Sequence, residues 1–229
     1  PLGPGMVRIT LGGPGLHGFT STGVGDEYLR LFLPDPQTGE LRLPTASGES
    51  WEYPDGVQPG PLRTYTVRRF DAEAGHLVVD VVLHEGGIAA TWARDVEPGA
   101  SIGVNTPCGL YAAPPGIRWR LLVADAPGVP AAMRLLEDGD PAVRTRAILE
   151  VPGAQHELPV PEGCDVTWVH GGNGHGPSRI EEIIRSVRFP AEPGYVWVAG
   201  ETRVTRAVRK YLRHELTLPA TAYKVVGYW

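Results

Sequence analysis

The chain has 229 residues, enough for one large domain or two of ordinary size, and its 42% hydrophobic and 21% charged content excludes a disordered chain. A net charge of −5 and a pI near 5.8 leave no basic footprint for nucleic acid. No run reaches the roughly 18 apolar residues of a membrane span, and no signal peptide is read at the start.

Cys108 and Cys164 lie far apart, outside any C-x-x-C or His-rich context, and are expected as reduced thiols of a cytoplasmic protein. The opening PLGPGMVRITLGG reads equally as part of an expression scar or as native chain that starts late.

The first half alternates with period two. Val7, Ile9 and Leu11 share one strand face, opposite Arg8 and Thr10, and Leu29, Leu31 and Leu33 repeat the pattern. The polar, Pro- and Gly-rich stretch 34–62 reads as a long loop. RTYTVR (63–68) then puts Arg63, Tyr65 and Val67 on one face of a strand, with Thr64, Thr66 and Arg68 on the other. Leu77, Val79, Val81 and Leu83 form a further strand. DVVLHEGGIAATWA (80–93) runs from that strand through Gly86-Gly87 into a short helix, and Ile102 and Val104 close the series. With 30 glycines and 23 prolines in the chain, many of them between these runs, the pattern predicts a small antiparallel barrel or sandwich.

A linker at Ala113-Pro114-Pro115-Gly116 divides a first domain, 1–113, from a second, 117–229, where the period changes. WRLLVAD (119–125) is a buried strand, and Val129, Ala132, Met133 and Leu136 follow at helical spacing. Strands RAILEV and DVTWV come next. A helix then opens at Ser178-Arg179-Ile180-Glu181, whose S-x-x-E order fits a capping box. YVWVA (195–199) leads into a helix with Val204, Ala207, Val208, Tyr211 and Leu212 on one side, and AYKVVGYW ends as a strand. Strands alternating with helices call for a doubly wound parallel sheet. Ligands of such sheets sit outside the strands' carboxyl ends, so the site is expected in a cleft between the two domains.

Guanidinium groups bind phosphate bidentately, a tyrosine ring can lie on a flat ring system, and a threonine hydroxyl can bond a ring nitrogen. RTYTVR therefore reads either as an ordinary polar strand or as one holding a ligand. Glycines before a helix let backbone amides approach a pyrophosphate. Together the two stretches point to a dinucleotide.

RTYTVR, DVVLH…GG…WA, YVWVAGE and the terminal VVGYW, in this order, resemble the siderophore-interacting proteins, FAD-containing ferric-siderophore reductases of the ferredoxin-reductase-like superfamily. The resemblance spans nearly the whole chain and extends to MVRITLGGPGLHGF and HGGNGHGPSRIEE. It implies a Greek-key FAD-binding barrel followed by a nicotinamide-nucleotide domain. Arg63, Tyr65, Thr66 and Arg68 match the family's flavin strand, with Tyr65 and Thr66 beside the isoalloxazine. Asp80, Val82, Leu83 and His84 match its second flavin-lining strand. Gly87 through Ala93, with Ala89, Ala90, Thr91 and Trp92 among them, match the pyrophosphate loop, and Gly86 stands in the turn that leads into it. Three positions depart from the family pattern: Ile88 replaces a proline, Ala90 a serine whose hydroxyl Thr91 would substitute, and Pro127 a threonine on the nicotinamide side. Tyr228 or Trp229 would cover the flavin face opposite Tyr65.

Glu201 and Thr202, at the carboxyl end of a parallel strand, are the leading second-domain contacts. Arg203 and Arg206 either hold a nicotinamide dinucleotide phosphate or belong to a solvated face with Arg209, Lys210 and Arg213. His156, His170 and His175 lack metal-ligand spacing, HGGNGHGPS lacks the P-loop lysine, and no G-x-S-x-G elbow occurs. Neither a bound metal nor a side-chain nucleophile is expected. The reading is thus a monomeric cytoplasmic reductase that passes electrons from NADH or NADPH through FAD to a ferric siderophore. Another flavin reductase or electron-transfer component on the same fold, and a module that binds a chelate or flavin without turnover, remain as alternatives. Two scattered cysteines exclude a fused [2Fe–2S] centre. A catecholate chelate would need a basic rim, for which Arg68, Arg69 and Lys224 are candidates.

Overall fold

The computed structural model describes every residue except 48, 49 and 174, the last of these within HGGNGHGPS. The chain divides into two compact units. One comprises Pro1, Gly5–Thr22 and Tyr28–Cys108, and the other Leu2–Pro4, Gly23–Glu27 and Gly109–Trp229.

In the first unit, β1 (Met6–Leu11), β2 (Tyr28–Phe32), the short pair β3 (Thr45–Ser47) and β4 (Ser50–Glu52), β5 (Leu62–Thr66), β6 (Arg69–Asp71) and β7 (His76–Val82) precede helix α1 (Ile88–Asp95) and β8 (Gly103–Val104). They form antiparallel sheets in the orders β1-β7-β6 and β5-β2-β8, with β3 and β4 pairing apart. Alternate residues Leu29, Leu31, Leu33, Leu77, Val79 and Val81 fill the shared core, and Ala89 and Ala93 of α1 close one side of it. The stretch expected as loop, 34–62, thus contains the antiparallel pair β3 and β4. Strands of three residues each, TAS and SWE, are too short to register as period two.

The RTYTVR run is not one strand. β5 ends at Thr66, Val67 is fully buried, and the Arg68 amide donates to Val78 O at 2.9 Å, so the chain has already crossed to the sheet containing β7. Consecutive burial of Thr66 and Val67 breaks the two-residue period at this corner, which corrects the assignment of Val67 and Arg68 to opposite faces of a continuous strand.

The second unit holds β9 (Trp119–Asp125), α2 (Val129–Glu137), β10 (Arg144–Val151), β11 (Asp165–His170), α3 (Ile180–Ser186), β12 (Gly194–Gly200), α4 (Thr202–Lys210) and β13 (Tyr223–Gly227). All five strands are parallel in the order β11-β10-β9-β12-β13, the expected doubly wound sheet. Leu122, Ala124, Leu149 and Trp197 pack one face under α2, while Leu121, Val123, Ile148 and Val198 pack the other under α3 and α4. That two-sided burial explains why these strands read as continuous apolar runs. Two buried acids fasten the short segment 23–27 to this unit. Asp26 accepts the Leu110 and Tyr111 amides and the Trp197 indole, and Glu27 pairs with Arg134 at 3.0 Å.

The capping box is not formed. Ser178 Oγ accepts the Ile180 amide at 3.3 Å, but Glu181 turns to Arg185, and it is Glu150 that accepts the Arg179 amide. An ion pair one turn along outcompetes the reach back to the cap.

Candidate functional site

In the first unit, the two flavin-type motifs are joined by a charge knot. Asp80 of β7 is 3% exposed and is the register partner of Arg8 on β1. Arg8 donates through Nε to Oδ1 at 2.7 Å and through Nη2 to Oδ2 at 2.8 Å, and Arg68 Nε lies 3.7 Å from the same Oδ2. Both Asp80 oxygens are therefore engaged by Arg8, with Arg68 as a second, longer ion pair. The signal for Arg8 lay in its opposite-charge position across the strand pair, which a single strand cannot reveal.

Beside this knot, Thr66 is 5% exposed and its Oγ1 has no hydrogen-bond partner. A buried hydroxyl without a partner costs about 1–3 kcal/mol, so such an atom stands where a ligand can complete it. Tyr65 is half-buried against the core, and burial pushes its phenol up to about 12, with Arg63 opposing, so the ring stays neutral. Arg63 is exposed, its Nη1 resting on Leu62 O at 2.7 Å. Val82 and Leu83 are partly buried at the end of β7 and His84 is exposed.

Beyond them the chain turns at Gly86, with φ +72°, into Gly87, the N-cap of α1. The imidazole of His84 lies so close over Gly87 that a Cβ there would collide with it. No side chain caps the helix, and its first amides are left to water or to an anion. Ala89 and Ala90 are buried at 4% and 3% exposure, whereas Thr91 is exposed. Ala90 is thus turned toward the core and Thr91 toward solvent, about 100° apart around α1. Thr91 and the half-buried Trp92 line an open cavity of about 460 Å³ with Gly86, Ile88, Pro34 and Asp35.

In the second unit, the expected contacts converge on the end of β12. The Thr202 amide donates to Trp229 O at 2.7 Å and the Tyr228 amide to Gly200 O at 2.8 Å. The Glu201 amide and the Trp229 indole both donate to Asp125 Oδ2 at 2.8 Å. Tyr228 packs against the core under α2, and Arg203 and Arg206 are exposed on α4. Asp125, Glu150 and Asn173 were not singled out from sequence. Asn173, at φ +53°, accepts the Ala126 amide and donates to Glu150 O. The signal for the two acids was their place after the apolar runs Leu121–Ala124 and Ala147–Leu149, at the carboxyl ends of these strands. No group of three or more His, Cys, Asp or Glu able to hold a metal occurs among the described residues, and no described helix is long and apolar enough to cross a membrane.

The family described as "Siderophore-interacting FAD-binding domain" matches residues 1–111, and that described as "Siderophore-interacting protein" matches residues 117–229. The chain is 30% identical to the NADPH-dependent ferric-chelate reductase of Escherichia coli (strain K12), covering 98% of this chain and 87% of that one. It is 29% identical to the ferric vibriobactin reductase of Vibrio cholerae, covering 98% and 83%. Its fold matches the crystal structure of a siderophore utilization protein from T. fusca with a TM-score of 0.87 at 32% identity, over 100% of this chain and 88% of that one.

Proposed function

Since the chain belongs to the siderophore-interacting protein family, we propose that it is an FAD-dependent reductase that uses NADH or NADPH to reduce iron held in a ferric siderophore. In this reading residues 1–113 form the flavin domain and 117–229 the nicotinamide domain. The observation that carries it is the buried, unpartnered Thr66 Oγ1 standing beside Tyr65 in the flavin-type strand, in a chain matched by the family along both units.

The residues present fit FAD. Thr66 Oγ1 offers one hydrogen bond to a ring heteroatom, Tyr65 offers a neutral aromatic surface, and the uncapped first turn of α1 offers amides to a pyrophosphate. Arg63 supplies an unburied guanidinium for phosphate, and Arg68 pairs with Asp80 at 3.7 Å. Bound flavin supplies the exchange between a two-electron hydride donor and a one-electron acceptor, so one NAD(P)H reduces two ferric ions and yields NAD(P)⁺, one proton and two ferrous ions. Hard oxygen chelators hold ferrous ion far less tightly than ferric, so reduction releases the metal. The chain's own residues bind and orient, and no side chain acts as a nucleophile or general base.

On the same reading the protein works as a monomer in the cytoplasm, where nicotinamide donors are supplied. Both cysteines are free, as a reducing compartment requires. The test is to load the purified protein with FAD and add NADPH or NADH without oxygen, then a ferric chelate. Bleaching of the flavin absorbance by the donor, followed by its return on adding the chelate with ferrous ion trapped by a chromogenic ligand, is expected. Folded protein that binds no FAD, or bound flavin that no donor bleaches, refutes the reading.

A further inference from the structure

Two acidic side chains stand side by side at the carboxyl end of the parallel sheet. Asp125 closes β9, and Glu150 is its register partner on β10, so both side chains point to the face covered by α3 and α4. They are 2% and 1% exposed. On each, one oxygen is engaged. Asp125 Oδ2 accepts the Glu201 amide and the Trp229 indole, and Glu150 Oε1 accepts the Arg179 amide. The other oxygens, Asp125 Oδ1 and Glu150 Oε2, are buried without any hydrogen-bond partner. Gly172, at φ +61°, lies directly against Glu150 Oε2, where any side chain would collide.

Two neighbouring ionised carboxylates with water excluded repel each other and leave both free oxygens short of a donor. A single proton resolves both problems, because it turns one carboxyl group into a donor and leaves the other as its acceptor. We propose that Asp125 and Glu150 share one proton and together form the positioning pair of the nicotinamide-binding end of this sheet. The proposal rests on the reductase reading for what is positioned there, and on the geometry alone for the proton. Burial pushes the Asp125 carboxyl up to about 7, donation from the Trp229 indole and from the Glu201 and Gly128 amides opposes this, and the neighbouring Glu150 charge adds to it.

The pair links two sets of loops. Asp125 holds the β12–α4 turn and Trp229, whose own carbonyl accepts the Thr202 amide. Glu150 holds the start of α3, and its carbonyl accepts Asn173, which in turn holds Ala126 at the end of β9. Other charged groups on the surrounding elements are Glu201 and Arg203 at the start of α4, Arg179 with its partner Glu182 at the start of α3, and His170 of β11 on Glu157. On α2, Arg134 lies in the last turn, paired with Glu27. Losing the shared proton sets two charges against each other beneath both loop sets and adds negative charge where a dinucleotide phosphate must dock. Both effects weaken nicotinamide binding in the same direction.

The test follows the indole N–H signal of Trp229 by NMR, assigned with Trp229→Phe, across about pH 5 to about pH 9. Asp125→Asn keeps an acceptor for Trp229 and Glu201 and provides a fixed donor to Glu150, so it mimics the protonated pair and should fold. The signal is expected to titrate once near neutrality in the unmodified FAD-loaded protein and to stay still in Asp125→Asn. KM for the nicotinamide donor should rise several-fold over the same range with kcat little changed, and lose that dependence in Asp125→Asn. If that variant fails to fold, the infrared band of a protonated carboxyl, lost near neutrality in the unmodified protein, takes its place. An indole signal that never titrates, or titrates equally in Asp125→Asn, overturns the shared proton. A titrating indole in a protein that oxidises no nicotinamide donor overturns the positioning role and the reductase reading, and leaves the shared proton standing.

Discussion

Thr66 shows how one side chain can be unfavourable for the fold and useful for the site. Its neighbour Val67 is fully buried in the core, and Thr66 itself is 5% exposed with a hydroxyl that bonds to nothing. Thr66→Val keeps the shape and removes that hydroxyl. The FAD-free protein should be equally stable or up to about 1 kcal/mol more stable, measured by urea denaturation. FAD affinity should fall by roughly 2- to 12-fold, the net value of one neutral hydrogen bond. A variant that loses stability while binding FAD normally would show that Thr66 serves only packing. Residue identity at this position was visible in RTYTVR, but its burial was not, because the strand ends at Thr66, before the run that alternation implies, and the chain turns there toward the other sheet.

At the scale of elements, α1 shows the same division. The Gly86-Gly87 turn and the helix after it were legible, since the left-handed φ of +72° at Gly86 suits glycine. The orientation of α1 was not, and it decides that Ala89 and Ala90 face inward while Thr91 faces solvent. Gly87, at φ −81° and ψ 120°, already has the backbone that a following proline requires. Ile88 is the first helical residue, whose amide has no partner within the helix. Ile88→Pro should therefore fold. A gain of about 0.4–1 kcal/mol from the stiffer unfolded chain is offset by the lost packing of Ile88 on the core, for a net change within about 1 kcal/mol. A midpoint shift larger than that in thermal or urea unfolding would mean that α1 begins with a different geometry in solution.

For the whole molecule, the buried acids set how stability responds to pH. Asp125 is raised from 3.8 to about 7 in the folded chain. Between those values the folded state keeps a proton that the unfolded state has released. Its contribution is thus complete below 3.8 and is lost as pH rises through about 7. The loss is at most about 4 kcal/mol, at 1.36 kcal/mol for each unit of pKa. Asp35, Asp71, Asp95 and Glu215 are lowered by hydrogen bonds and nearby cations, and their exposed contributions vanish in the opposite direction as pH falls. Unfolding midpoints should therefore decline from about pH 5 to about pH 8, and the decline should largely disappear in Asp125→Asn. Equal slopes in both proteins would remove Asp125 as the cause.

The sequence by itself determined most of the element types, the change of period near residue 116, a doubly wound parallel sheet and the family motifs. These depend on local spacing, on glycine and proline placement and on the two-sided burial of β9, β10 and β12, all of which are written along the chain. Tertiary structure alone decided that Arg8 and Arg68 share Asp80, that Glu150 rather than Glu181 serves the start of α3, and that Asp125 and Glu150 stand as register partners on adjacent strands. Each of those pairings joins residues from different elements. Their energies come from burial and strand register, which exist only once the sheets have closed over them.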